Sequence, residues 1–172
     1  TDARAGLDAC WPDDWLSGDT ALIYVSYVGR NDSVCVNRMI RGGDWERIRA
    51  VAAQHSGYIT SVAAHKDTVM IAYSDDGRIR YQLKRGGAVW TYGSPPQDTT
   101  LTNTIPDISG DGGYFHLVYR DNTGKGWYTR RTYDSYTWDP AKRFDGDTIV
   151  AYNVKPDVRW TGRAETAGIA WG

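Results

Sequence analysis

Four side chains capable of recognition chemistry fall within seven consecutive positions: Trp127, Tyr128, Arg130 and Tyr133. Flat aromatic faces stack on the apolar faces of sugar rings, and a neighbouring guanidinium supplies directional hydrogen bonds. Two further candidates are Asp107 and Asp157, each following a proline in the matching runs Pro106-Asp107-Ile108 and Pro156-Asp157-Val158. Aspartate is unfavourable in a strand and needs a reason to be there. Two reasons are open: a polar ligand or ion near these carboxylates, or hydrogen bonds to a neighbouring backbone.

Other catalytic patterns are weak. His55, His65 and His116 are spread over separate segments, and no Gly-x-Ser-x-Gly elbow accompanies them. Glutamate is restricted to Glu46, beside a core tryptophan, and Glu165, in a turn, so no pair suits two-carboxylate glycoside hydrolysis. Arg38, Arg78, Arg80, Arg120, Arg130, Arg131 and Arg159 lie in strand-like runs, several at alternating positions that suit a solvated face. Asp75-Asp76-Gly77, Asp111-Gly112-Gly113 and Asp145-Gly146-Asp147 could offer oxygen ligands to calcium, but their spacing falls short of a calcium loop. The expectation is therefore no cofactor and no metal; there is also no paired Cys/His zinc spacing and no phosphate loop. Cys10 and Cys35 leave two readings: a disulfide in an oxidising compartment, which is the expectation adopted, or two buried thiols.

The 172 residues carry 20 Lys plus Arg against 21 Asp plus Glu, a net charge of −1. That balance gives no long-range pull toward nucleic acid or an anionic membrane. Apolar runs such as Ala21–Val25 are too short to span a bilayer as a helix, so no membrane insertion is expected. The 8 Trp, 12 Tyr and 19 Gly point to short strands joined by tight turns.

An internal repeat organises these strands. Tyr27, Tyr73 and Tyr119 each close an apolar run and lie 46 residues apart, and Trp171 follows after 52. Turns follow the tyrosine anchors at 29–32, 75–77 and 121–124, and second strands at 34–38, 79–83 and 127–131. A further turn then leads to Trp45, Trp90 or Trp138. One more strand precedes each anchor: Asp107–Asp111, with Trp15–Asp19, Thr60–Val62 and Pro156–Val158 as its counterparts. Each unit is a four-stranded antiparallel meander. A radial array of such meanders is a β-propeller, with the aromatic anchors filling the wedge between sheets.

The fold expected is thus an all-β propeller segment, a single domain over 1–172. Its blades are placed at about 15–50, 58–93 and 105–144, with a partial blade at 156–172 and residues 1–10 outside the pattern. Three and a half units do not close a ring. The expected completion is the remainder of the same propeller, with another chain as the alternative.

The repeat resembles the sialidase-like, bacterial-neuraminidase-repeat propellers. The similarity is carried by Pro106–Tyr119 and Gly126–Trp138, whose segment Thr132–Trp138 is similar to the Asp box of that family, Ser-x-Asp-x-Gly-x-Thr-Trp. The copy here is one residue short and has Tyr136 where glycine belongs. The resemblance implies a propeller fold. It would also imply an arginine triad, a Tyr/Glu nucleophile pair and an acidic Asp, none of which can be assigned to particular residues. The functional expectation is a non-catalytic, extracellular or cell-surface binding module for carbohydrate or a protein partner. The alternatives are a sialidase-like glycoside hydrolase completed by further blades, and a structural array in a larger assembly.

Overall fold

The computed structural model describes residues 7–10, 21–29, 33–40, 43–52, 60–65, 67–97, 103–110, 113–144, 156–160 and 167–171. Among them every regular element is a strand. The first sheet contains β1 (Leu7–Cys10), β2 (Ala21–Val28), β3 (Ser33–Ile40) and β4 (Trp45–Ala52), in that order. The second contains β5 (Thr60–His65), β6 (Thr68–Asp75), β7 (Arg78–Arg85) and β8 (Thr91–Gly93). The third contains β9 (Asn103–Gly110), β10 (Tyr114–Asp121), β11 (Gly126–Thr132) and β12 (Lys142–Arg143). A two-stranded sheet of β13 (Pro156–Trp160) and β14 (Ala167–Trp171) follows. All pairings are antiparallel between neighbours in sequence, so each sheet is a meander.

Local chemistry explains the hairpins. Asp76 and Gly77 link β6 to β7 with φ of 47° and 69°. Two successive positive φ values are what a two-residue hairpin turn needs to match strand twist, and Asp-Gly supplies them at little cost. The register then places the repeat anchors at one level: Leu7 pairs with Tyr27, Thr60 with Tyr73, Pro106 with Tyr119 and Pro156 with Trp171. Strands β1, β5, β9 and β13 are successive neighbours, which sets the sheets side by side around a common axis.

Burial follows from that stacking. The second sheet has a neighbour on both sides, so β6 is buried at every position from Thr68 to Ser74 rather than at alternate ones. Val69, Ile71 and Tyr73 pack toward the first sheet with Tyr24, Val34 and Val36. Met70 and Ala72 pack toward the third with Phe115, Leu117 and Tyr119. Two of the three repeated tryptophans pack into these seams: Trp90 donates its indole N–H to Ile48 O at 3.3 Å, and Trp138 meets the Tyr81 ring edge-on at 5.6 Å; Trp45, expected as a core residue, is instead 53 % exposed. Trp45 opens β4 and Trp90 immediately precedes β8, whereas Trp138 stands four residues ahead of β12.

Two expectations are corrected. Leu7–Cys10 is not outside the pattern; it is the innermost strand of the first blade, which therefore begins at Leu7 and not at 15. Ten residues separate Leu7–Cys10 from β2, against two between β5 and β6 and three between β9 and β10, so the strand falls outside its expected spacing; those ten, which include Trp15–Asp19, lie outside the described residues. Cys10 and Cys35 are not joined by a disulfide. Cys10 pairs with Tyr24 and Cys35 with Tyr27, on opposite sides of β2. Two strand spacings of about 4.8 Å and three residues of offset along the strand keep their Cα atoms far beyond the roughly 7 Å a disulfide can span.

Candidate functional site

Strand alternation divides the aromatic–arginine group selected from the sequence. Trp127, Thr129 and Arg131 face the second sheet. The Trp127 indole packs on the core there and donates to Asp121 Oδ2 at 2.8 Å. Arg131 is 2 % exposed and donates to the Tyr81 hydroxyl at 3.1 Å and to Ser135 O. Burial lowers its pKa from the ordinary arginine value. Tyr128 and Arg130 lie on the opposite face. The Tyr128 hydroxyl sits 2.9 Å from His116 Nδ1. Arg130 bonds Asp139 Oδ2 at 3.0 Å, which raises its pKa, and its guanidinium lies 4.5 Å from the Tyr114 ring centre. Tyr133 is buried, stacked 4.0 Å from His65 and edge-on to Phe115 at 4.5 Å. The four residues therefore do not form one surface.

The axial aspartates sit in a repeated device. Asp8, Ser61, Asp107 and Asp157 occupy equivalent places on β1, β5, β9 and β13, pairing with Ser26, Ala72, Val118 and Ala170. Asp8 Oδ2 accepts the Val62 N–H of the next sheet at 2.8 Å. Ser61 Oγ accepts the Ile108 N–H of the sheet after that at 3.1 Å. Ser61 Oγ also lies 2.6 Å from Asp8 Oδ2 and 2.9 Å from Asp107 Oδ1, so its single proton serves one carboxylate at a time. At Asp8 and Ser61 the arrangement matches the backbone-bonding reason for a polar residue in this place. Asp157 is placed by its backbone pairing alone.

A cavity of about 260 Å³ opens between the second and third sheets, lined by His65, Asp67, Thr68, Gly113, Thr132, Tyr133 and Asp134. Three turns build it: β5–β6, β9–β10 and β11–β12. The stacked His65–Tyr133 pair forms an aromatic wall. Asp67 is held by its own backbone, whose carbonyl accepts the Gly86 N–H at 2.9 Å. Gly86 has φ +49°, and a Cβ there would lie 2.8 Å from Asp67 Oδ2, so glycine is what leaves room for that carboxylate. Two positions past the lining residue Asp134, Tyr136 is 73 % exposed, with the Arg85 guanidinium 4.8 Å from its ring centre. Arg85 reaches across the seam to Tyr133 O and Ser135 O. Of the ligand residues selected from the sequence Tyr133 lines this cavity, together with His65 and Gly113, which the sequence had marked only as an isolated histidine and as part of an Asp-Gly turn. The signal for the rest was the repeat itself, which puts the turns of consecutive units at the same end of adjacent sheets. Among the described residues no three His, Cys, Asp or Glu side chains are grouped as metal ligands.

No known family's sequence profile matches the chain, and no curated protein sequence matches it. Solved structures do. The chain is similar to the Aleuria aurantia lectin, a fungal six-bladed β-propeller with a fucose recognition mode, at 12 % identity and a TM-score of 0.66; the match covers 98 % of this chain and 55 % of the lectin. The N224Q mutant of that lectin in complex with Fucα1-6GlcNAc matches at 11 % identity and a TM-score of 0.60, covering 97 % of this chain and 53 % of that one. A GH43 endo-arabinanase from Bacillus licheniformis matches at 15 % identity and a TM-score of 0.51, covering 87 % of this chain and 61 % of that one. The chain thus spans between half and two thirds of the length of these structures. With its three four-stranded antiparallel sheets and the start of a fourth, it is a partial β-propeller.

Proposed function

We propose that this chain is a carbohydrate-binding propeller module, and that its ligand sits in the cleft between the second and third blades. The observation that carries the reading is the cavity of about 260 Å³, walled by a stacked His65–Tyr133 pair and fringed with hydroxyls and carboxylates. Its volume is just below the roughly 300 Å³ at which pockets begin to hold drug-sized ligands, a scale suited to a single sugar ring. Thr68, Thr132, Asp67 and Asp134 offer the acceptors and donors that sugar hydroxyls require. The exposed ring of Tyr136 gives a flat face for the apolar side of a neighbouring sugar unit. The fold is shared with a lectin that recognises fucose, which agrees with this reading. Binding rather than turnover is the proposed activity, in an extracellular setting where glycans are displayed.

The test is a glycan array probed with the intact protein, followed by titration of the best ligand against Tyr136→Ala and Thr132→Ala. Each variant should retain its thermal transition and lose about tenfold or more in affinity. Unchanged affinity in both would move the ligand away from this cleft. Absence of binding to every glycan would end the carbohydrate reading.

A further inference from the structure

We infer that Arg85 is the positioning residue of the cleft, a strut that sets the distance between its two walls before a ligand arrives. The inference rests on the carbohydrate reading and adds to it the group that fixes the shape of the site. Arg85 belongs to the second blade, and its bonds lead to both walls. On the second-blade side its backbone stands opposite Thr68 in the β6–β7 ladder, and the next residue, Gly86, donates its N–H to Asp67 O at 2.9 Å. Thr68 and Asp67 both line the cavity. On the third-blade side one amino group of the guanidinium donates to Tyr133 O and, at 3.1 Å, to Ser135 O. These two carbonyls flank Asp134, and Tyr133 and Asp134 line the opposite wall. The same guanidinium lies 4.8 Å from the Tyr136 ring centre, so the β11–β12 turn wraps a side chain supplied by the other blade.

The other contacts across this seam do less to fix the turn. The His65 and Tyr133 rings lie parallel within 2° at 4.0 Å, and stacked rings slide along their planes at little cost. Hydrogen bonds from a cation are directional and stronger than neutral ones, so Arg85 restrains the displacement that the stack leaves soft. Arg131 also donates to Ser135 O, but its other bond goes to the Tyr81 hydroxyl, which is no part of the lining. Arg131 thus holds one of the two carbonyls beside Asp134, whereas Arg85 holds both. A turn fixed in advance spares the ligand the cost of ordering it. A turn that holds the competent shape for only a fraction of the time weakens binding by that fraction.

The experiment compares wild type, Arg85→Met and Arg85→Lys in two readouts: hydrogen exchange of the unliganded protein, and calorimetric titration with the tightest of a panel of methyl glycosides of hexoses, deoxyhexoses and N-acetylhexosamines. Arg85→Met keeps the apolar stem and removes the donors. The Ser135 and Thr137 amides, bonded within the turn to Thr132 O and Ser135 Oγ, should exchange about tenfold faster in it, with the β10 amides unchanged. Affinity should fall about tenfold, the order of one hydrogen bond to a charged group. Arg85→Lys retains a cationic donor on a shorter stem without the flat face for Tyr136, so it should fall between the other two in both readouts. Unchanged exchange at the turn overturns the strut and leaves the carbohydrate reading standing. So does unchanged affinity in Arg85→Met where Thr132→Ala weakens binding. Acceleration shared equally by the turn and β10, in either variant, also overturns it, since Arg85 would then serve stability alone. If the wild type binds no glycoside, the carbohydrate reading falls and the positioning role with it.

Discussion

Replacing Asp121 by asparagine isolates one buried carboxylate that organises the β10–β11 hairpin. Asp121 is 1 % exposed. Its Oδ1 accepts the Thr123 N–H at 2.9 Å, the Thr123 hydroxyl at 2.7 Å and the Lys125 N–H at 3.0 Å, while Oδ2 accepts the Trp127 indole N–H at 2.8 Å. An asparagine keeps one oxygen and turns an NH₂ toward donors on the other side. With the oxygen kept on the three-donor side, the Trp127 bond is lost outright, at about 1.5 kcal/mol, and the other three weaken from charge-assisted to neutral bonds, together about as much again, so the expected cost is about 3 kcal/mol. For a chain of this size that is a fall in Tm of about 6–12 °C, read by circular dichroism or tryptophan fluorescence at pH 7. The pH dependence gives a second test. Burial by itself would raise the carboxyl pKa, but the hydrogen bonds from Thr123, Trp127 and Lys125 outweigh it and hold it below the ordinary aspartate value. A group whose folded pKa is depressed contributes stability above its unfolded pKa, near 4, and loses it as pH falls through the folded value. The Tm difference between wild type and Asp121→Asn should therefore shrink as the pH is lowered from 5 toward 2. A Tm drop under about 2 °C at pH 7, or a difference that does not change with pH, would refute the reasoning.

Two other perturbations test the framework that holds the cleft. Ser61→Ala strips the Ile108 N–H of its buried acceptor and the Asp8–Asp107 pair of the hydroxyl between them; a loss of about 2–3 kcal/mol is expected, with hydrogen exchange at the Ile108 amide accelerated more than at the β6 amides. Exchange that stays unchanged at Ile108 would mean the axial bond does not hold the blades together. Alkylation of the unfolded, unreduced protein should label both Cys10 and Cys35 by intact mass, since no disulfide joins them; a mass that rises only after reduction would contradict the register of the first sheet.

The repeat was legible in the sequence because each blade must solve one packing problem. A meander with a neighbour on each side needs an apolar run, a turn that tolerates positive φ, and an aromatic plug, so Tyr27, Tyr73 and Tyr119 recur at a fixed step. The inner strand of the first blade was not legible, because ten residues between Cys10 and Ala21 put Leu7–Cys10 out of the expected spacing and only the pairing of Leu7 with Tyr27 restores it. The aromatic–arginine run 127–133 looked like one surface for a related reason. Neighbours along a strand point to opposite faces, and which face is covered depends on the adjoining sheet, so Trp127 and Tyr133 became core while Tyr128 and Arg130 turned the other way.

The order of residues thus determined the blade, its turns and the step between copies, since these depend on local φ preferences and on alternation along single strands. The cleft was decided only by tertiary structure. His65, Asp67 and Thr68 belong to one blade and Thr132, Tyr133 and Asp134 to the next, separated by more than sixty positions, and nothing local in either segment announces the other. What brings them together is the stacking of two sheets that must each cover the other's apolar face.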